Sequence, residues 1–145
     1  MAVKEKLSGS INPFFKCNNV YSAGTMVKIS NDEVIVASGI DGQDIYGMLA
    51  QDVIAASQDV WKSDTVTAVA RVGDRVGVYF NGGVYETDQT SVDITAGDLL
   101  YVDESANAGK LTNIAVNGDT SARVAVGLAE TTATAGNFVR VKLFI

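Results

Sequence analysis

The sequence predicts an all-β fold: a compact β-barrel or sandwich-like domain built from two pseudo-repeated halves, with an extended N-terminal arm. Three observations predict it. Fourteen glycines stand against one proline in a chain rich in Val, Thr and Ile, the composition of short strands joined by tight turns. A turn-and-strand unit beginning at Ala23 recurs at Ala96. From Phe138 to Ile145 the pattern alternates, with Val139, Val141, Leu143 and Ile145 on one face and Arg140 and Lys142 on the other.

Residues 1–22 read as the arm. Residues 1–28 carry Lys4, Lys6, Lys16 and Lys28 against Glu5, a net of +3. The other seven basic and sixteen acidic side chains give −9, so the whole chain carries −6. A basic, Gly/Ser/Asn-containing start of this kind suits a segment that orders on an acidic partner surface. Its removal is expected to leave the body folded.

Residues 23–145 then form a single β-domain, with repeat halves at about 23–88 and 96–145. Ala23-Gly24-Thr25-Met26-Val27-Lys28-Ile29 matches Ala96-Gly97-Asp98-Leu99-Leu100-Tyr101-Val102, so Val27 and Ile29 fall on Leu100 and Val102 with the same face inward. A second apolar run follows in each half, Val34 to Ala37 and Leu111 to Val116. Turn signals come next, at Asp41-Gly42 and Asn117-Gly118-Asp119. Ile45-Tyr46-Gly47-Met48-Leu49-Ala50-Gln51-Asp52 then matches Val124-Ala125-Val126-Gly127-Leu128-Ala129-Glu130-Thr131 if one residue of slack is allowed, as a bulge supplies. The start of this segment is expected as a strand, with a helical turn around Val53 to Ser57 left open. An insertion at about 54–74 holds Trp61 and a strand candidate from Thr65 to Val72. Val76 to Phe80 is the counterpart of the C-terminal strand, and Asn81-Gly82-Gly83 predicts a hairpin turn into Val84 to Thr87. The two halves fit either one closed barrel or two packed sheets.

Composition removes several functions. The chain has no histidine, so a Ser-His-Asp or Cys-His nucleophilic site and a His-bearing zinc or iron site are excluded. Cys17 has no partner for an internal disulfide and reads as a small buried hydrophobe. Asp41-Gly42-Gln43-Asp44 and Asp103-Glu104 lack EF-hand spacing and read as exposed turn carboxylates. Gly73-Asp74-Arg75-Val76-Gly77 does not meet a phosphate-loop pattern. The acidic body argues against nucleic acid. No stretch approaches the roughly 18 apolar residues of a membrane span, and Met1 to Lys6 lacks a secretory h-region, so cytoplasmic synthesis is expected. An enzyme, a cofactor and a metal are not expected. Tyr46, Tyr79, Phe80, Tyr85 and Tyr101 read as strand packing, whereas Phe14, Phe15 and Trp61 lie outside the repeated units. These three suit anchors in a partner pocket, with a satellite core under the arm left open for Phe14 and Phe15.

The runs Ala23-Gly24, Val34-Ile35-Val36-Ala37, Asp41-Gly42, Gly47-Met48-Leu49-Ala50 and Val78 to Glu86 resemble the body of lambda-type head decoration proteins. Thr95 to Val102, Gly127-Leu128-Ala129 and Phe138 to Val141 are similar to related phage capsid-cement proteins. The resemblance covers about residues 20–145 apart from the insertion. It implies a structural virion protein that binds the outer surface of the expanded phage head and stabilises the capsid. It also implies the major capsid protein as partner and a homo-oligomer, with a trimer favoured. Lys4, Lys6, Phe14, Phe15 and Trp61 are the expected partner-binding residues. A tail-tube or fibre component and a glycan-binding β-module presenting Trp61 are the alternatives.

Overall fold

The computed structural model describes residues 3–56, 69–116 and 122–145, and these are nearly all β. Five strands close a barrel: β1 (Val3–Lys16), β2 (Met26–Ser30), β3 (Glu33–Val36), β4 (Ile45–Leu49) and β7 (Arg75–Thr87). They are hydrogen-bonded in the order β1-β3-β2-β4-β7, and β7 returns to pair antiparallel with β1. The β2–β3 hairpin turns through Asn31 and Asp32, both at positive φ, which matches the twist of the flanking strands. The short parallel pair β5 (Asp52–Ile54) and β6 (Val69–Arg71) lies beside the barrel. No helical turn forms over the described part of Val53 to Ser57, because Asp52 to Ile54 are taken by β5. Trp61 lies outside the described residues.

The second half repeats the same plan. Strands β8 (Leu99–Val102), β9 (Leu111–Thr112), β10 (Gly127–Ala129) and β11 (Val139–Leu143) continue the sheet from β7 in the order β7-β11-β10-β8-β9. A parallel bridge from Thr90 to Leu111 brings this sheet back to the chain leaving β7. The equivalence holds to the single residue. Val27 lies opposite Gly47 as Leu100 lies opposite Gly127, and Met48 opposite Tyr79 as Leu128 opposite Lys142. The amides of Gly24 and Gly97 donate to the carbonyls of Leu49 and Ala129, each 2.7–2.8 Å away. The amides of Ala23 and Ala96 donate to the side chains of Asp52 and Thr132, which occupy the same place in the two halves.

The N-terminal segment departs from expectation. It is extended, but it is an integral strand and not an arm beside the body. Asn12 and Ile11 of β1 pair with Val78 and Tyr79 just as Tyr85 and Val84 of β7 pair with Val141 and Lys142 of β11. β7 is therefore the last strand of the first barrel and the first strand of the second round, and β1 is its counterpart. Pro13, which has no N–H to donate, falls in the register shift between Asn12 and Phe15.

The hairpin expected at Asn81-Gly82-Gly83 does not form either, and β7 runs straight through it. Opposite Ser8 to Ser10 of β1, β7 advances from Val84 to Phe80, so the extra residues form a bulge in which Gly82 and Gly83 hold φ of 78° and 116°. At this bend β7 leaves β4 and begins to pair with β11.

Two apolar clusters follow from this plan. Cys17, Val27, Val34, Leu49, Val53, Ala70, Val76 and Val78 fill the first barrel. Leu100, Val102, Ala129, Val139, Val141 and Leu143, which are the corresponding inward positions, form the core of the second half, and Met26 and Met48 join them from the opposite face of β2 and β4. Strands β2 and β4 are thus buried on both faces at those methionines, which ties the two cores together.

Candidate interaction surface

Of the residues singled out from sequence, only Phe15 has a described side chain. Lys4, Lys6 and Phe14 lie along β1, where Lys6 is opposite Tyr85, and Trp61 is outside the described residues. Phe15 is half-buried and packs edge-on against Tyr46, with ring centres 5.8 Å apart. Tyr46 in turn meets Phe80 at 5.6 Å. Phe15 thus serves the first barrel as a satellite of its core.

In the acidic turns Asp44 is exposed as expected, whereas Asp41, Asp103 and Glu104 are half-buried and engaged. Asp41 accepts hydrogen bonds from Lys28 Nζ at 2.6 Å and from the Ser38 amide at 2.7 Å. Partial burial opposes its ionisation, but these two donors and the lysine charge outweigh it, and the carboxyl sits below its usual range. Asp103 and Glu104 both receive the Arg123 guanidinium, at 3.2 and 3.4 Å. Among the described residues no group of three or more Cys, Asp or Glu side chains is placed to hold a metal ion. Cys17 is fully buried, which raises its thiol pKa and lowers its reactivity. Burial likewise raises Tyr79 and Tyr85, whose rings stack at 4.4 Å. A cleft of about 290 Å³ opens between Val20, Tyr21, Asp52, Val53, Asp88 and Gln89, but the Asp52 carboxylate there already accepts the Ala23 amide. No helix of the described residues is long and apolar enough to cross a membrane.

An apolar surface stands out instead. Val116 bridges Ala122 in antiparallel fashion, and the Arg123 amide donates to the Ala115 carbonyl, so residues 114–116 and 122–124 meet in a minimal ladder of one isolated bridge. Ile114, Val116, Ala122 and Val124 are all exposed around this bridge, as is Ala115 at the bend, whereas Arg123 is not. The apolar side chains look outward: Ile114 is 49%, Val116 46% and Val124 39% exposed. Arg123 looks inward with a side chain only 6% exposed, binding Asp103, Glu104 and the carbonyl of Ile114. Beside the ladder, a Cβ placed on Gly42 would sit 3.8 Å from Val124 Cγ2. Ile40, on the same 3-10 turn (Gly39–Asp44), is 73% exposed. The turn is tied to the ladder's support, because the Gly39 amide donates to the Asp103 carbonyl. In the sequence Leu111 to Val116 is one apolar run, of which Leu111 is buried and Ile114 and Val116 are exposed. The signal for exposure was Arg123, set between Ala122 and Val124, but its inward partners are distant in sequence.

No family model matches the chain, and no curated protein matches it. Among solved structures, a chain from the capsid of Myoviridae phage XM1 shares the fold, with a TM-score of 0.55 and 19% identity. The alignment covers 98% of this chain and 91% of that one. At that identity the likeness is one of fold.

Proposed function

We propose that this chain is a structural virion protein that binds the outer surface of the expanded phage head and stabilises the capsid. The observation that carries this reading is the fold shared, over nearly the whole of both chains, with a chain of a phage capsid structure. The sequence resemblance to lambda-type head decoration proteins supports the same reading from a different direction. So does the build of the molecule. A closed barrel and a second sheet sharing one strand make a stiff module with little internal freedom to lose on binding, which lowers the entropic cost of docking.

In this role the protein acts by mass action. A module that binds the closed, expanded shell in preference to its separate subunits stabilises the shell by its binding free energy. Many copies on one lattice add up multivalently. The partner is the major capsid protein, the bound species a homo-trimer at capsomer junctions, and the location the outer face of the virion. The test is to mix the purified protein with expanded, undecorated heads and image the particles by cryo-electron microscopy. Regular added density at capsomer junctions is expected. Bare shells at saturating protein would overturn the reading, and rings or filaments of the protein alone would point to the tail.

A further inference from the structure

We infer that the exposed apolar surface formed by Ile114, Val116, Ala122 and Val124, extended by Ile40, docks on an uncharged aliphatic patch of the major capsid protein. The inference rests on the proposed function and adds the contact through which it acts.

Three features specify the occupant. First, no charged side chain points out from the ladder. Its one cation, Arg123, is turned inward and bound by Asp103 and Glu104, so an anionic or phosphate-bearing partner finds no counter-charge on residues 114–116 and 122–124. Second, exposed aliphatic side chains match another aliphatic protein surface, since burying them gains only by removing apolar area from water. Third, the size is informative. Four or five such side chains expose an area of a few hundred Å², the size at which apolar patches mark interaction sites. That is well short of the roughly 800 Å² per partner that a stable two-body complex buries. A face too small to hold a dimer in solution is adequate where the same contact is made many times on one lattice. The head offers that lattice, and a single second copy does not.

The ladder is also held in advance. Arg123 bonds it to Asp103 and Glu104, and the Gly39 amide holds the neighbouring turn to the Asp103 carbonyl, so the apolar side chains are presented without ordering on contact.

The experiment measures decoration of expanded heads by wild type and by the single variants Ile114→Asp, Val116→Asp and Val116→Ser. Val20→Asp, at an exposed position of the Tyr21–Asp88 cleft, is the control. Circular dichroism melts show that each variant is folded. Both aspartate variants are expected to need about tenfold or more protein for half-decoration, because a carboxylate cannot be buried on an aliphatic surface without a partner. Val116→Ser falls between them and wild type, and Val20→Asp decorates as wild type does. Wild-type decoration with unchanged binding of the Ile114 and Val116 variants overturns this assignment and leaves the proposed function standing. Wild type that fails to decorate overturns the proposed function itself. Sedimentation of the free proteins completes the test: an oligomer present in wild type and lost in the aspartate variants would show that a second copy covers this face, and would also overturn the assignment.

Discussion

At the scale of single residues, two close backbone approaches among the described residues fall at equivalent glycines. A Cβ at Gly47 would lie 2.1 Å from the Tyr79 carbonyl oxygen, and one at Gly127 would lie 2.8 Å from that of Lys142. Both residues face a paired strand across a buried ladder, so any side chain there forces the strands apart. Gly97 is a contrast. Its φ of +94° is one that L-residues avoid, yet nothing lies within 4 Å of the added atom. Alanine at Gly97 is expected to cost about 1–2 kcal/mol from backbone strain alone. Alanine at Gly127 is expected to cost up to about 3 kcal/mol, and at Gly47 more, because the clash is with backbone and not with a movable side chain. Urea unfolding midpoints should fall in the order Gly97→Ala, Gly127→Ala, Gly47→Ala. Equal costs at 47 and 97 would mean that strand spacing is not what those glycines provide.

At the scale of elements, Arg123 joins three pieces: the ladder at 114–116 and 122–124, the turn at Gly39–Asp44 and the end of β8. Methionine there keeps much of the packing but leaves Asp103 and Glu104 without their cation. Breaking a buried pair in this way costs about 3 kcal/mol. Arg123→Met should therefore lower stability by that order, and amide exchange at residues 114–116 and 122–124 should rise beyond the global change. Exchange that rises uniformly would show that Arg123 does not hold the ladder in particular. This is also the scale at which the sequence is least readable. The repeat was legible because each copy carries its own local signals: the Ala-Gly turns at 23 and 96, and the glycine at 47 and 127. Strand β1 was not, because Val3 to Ser10 has no period-two apolar face, and the strand exists only because β7 offers an edge to pair with. Asn81-Gly82-Gly83 carries the same local signal for a tight turn as for a glycine bulge. What decides is β1 on one side and β11 on the other, more than fifty residues away in each direction. The apolar run from Leu111 to Val116 did not tell which of its side chains meet solvent. Of the expected partner-binding residues only Phe15 has a described side chain, and its place beside Tyr46 reflects a neighbour thirty-one positions on.

At the scale of the molecule, the shared strand sets how the protein unfolds. A chain of two independent halves would lose one and keep the other. Here β7 contributes Val76 and Val78 to the first core and Tyr85 to the second, and Met26 and Met48 carry strands of the first barrel into the second core. Neither cluster can open without stripping the other of a wall, so the two halves should unfold as one cooperative unit. Cys17 provides a probe, being fully buried in the first cluster with its amide bonded to Asp74 and its carbonyl to Gly73. Leu100 provides the perturbation, being fully buried in the second cluster. Leu100→Ala should cost about 2–5 kcal/mol. With a shared β7, that cost should appear in full in the protection of the Cys17 thiol against alkylation, and the urea midpoint by thiol labelling should shift with the midpoint by far-UV circular dichroism. A Cys17 protection left at its wild-type value while the dichroism transition split in two would show that the halves are separable, and that β7 joins them without coupling them.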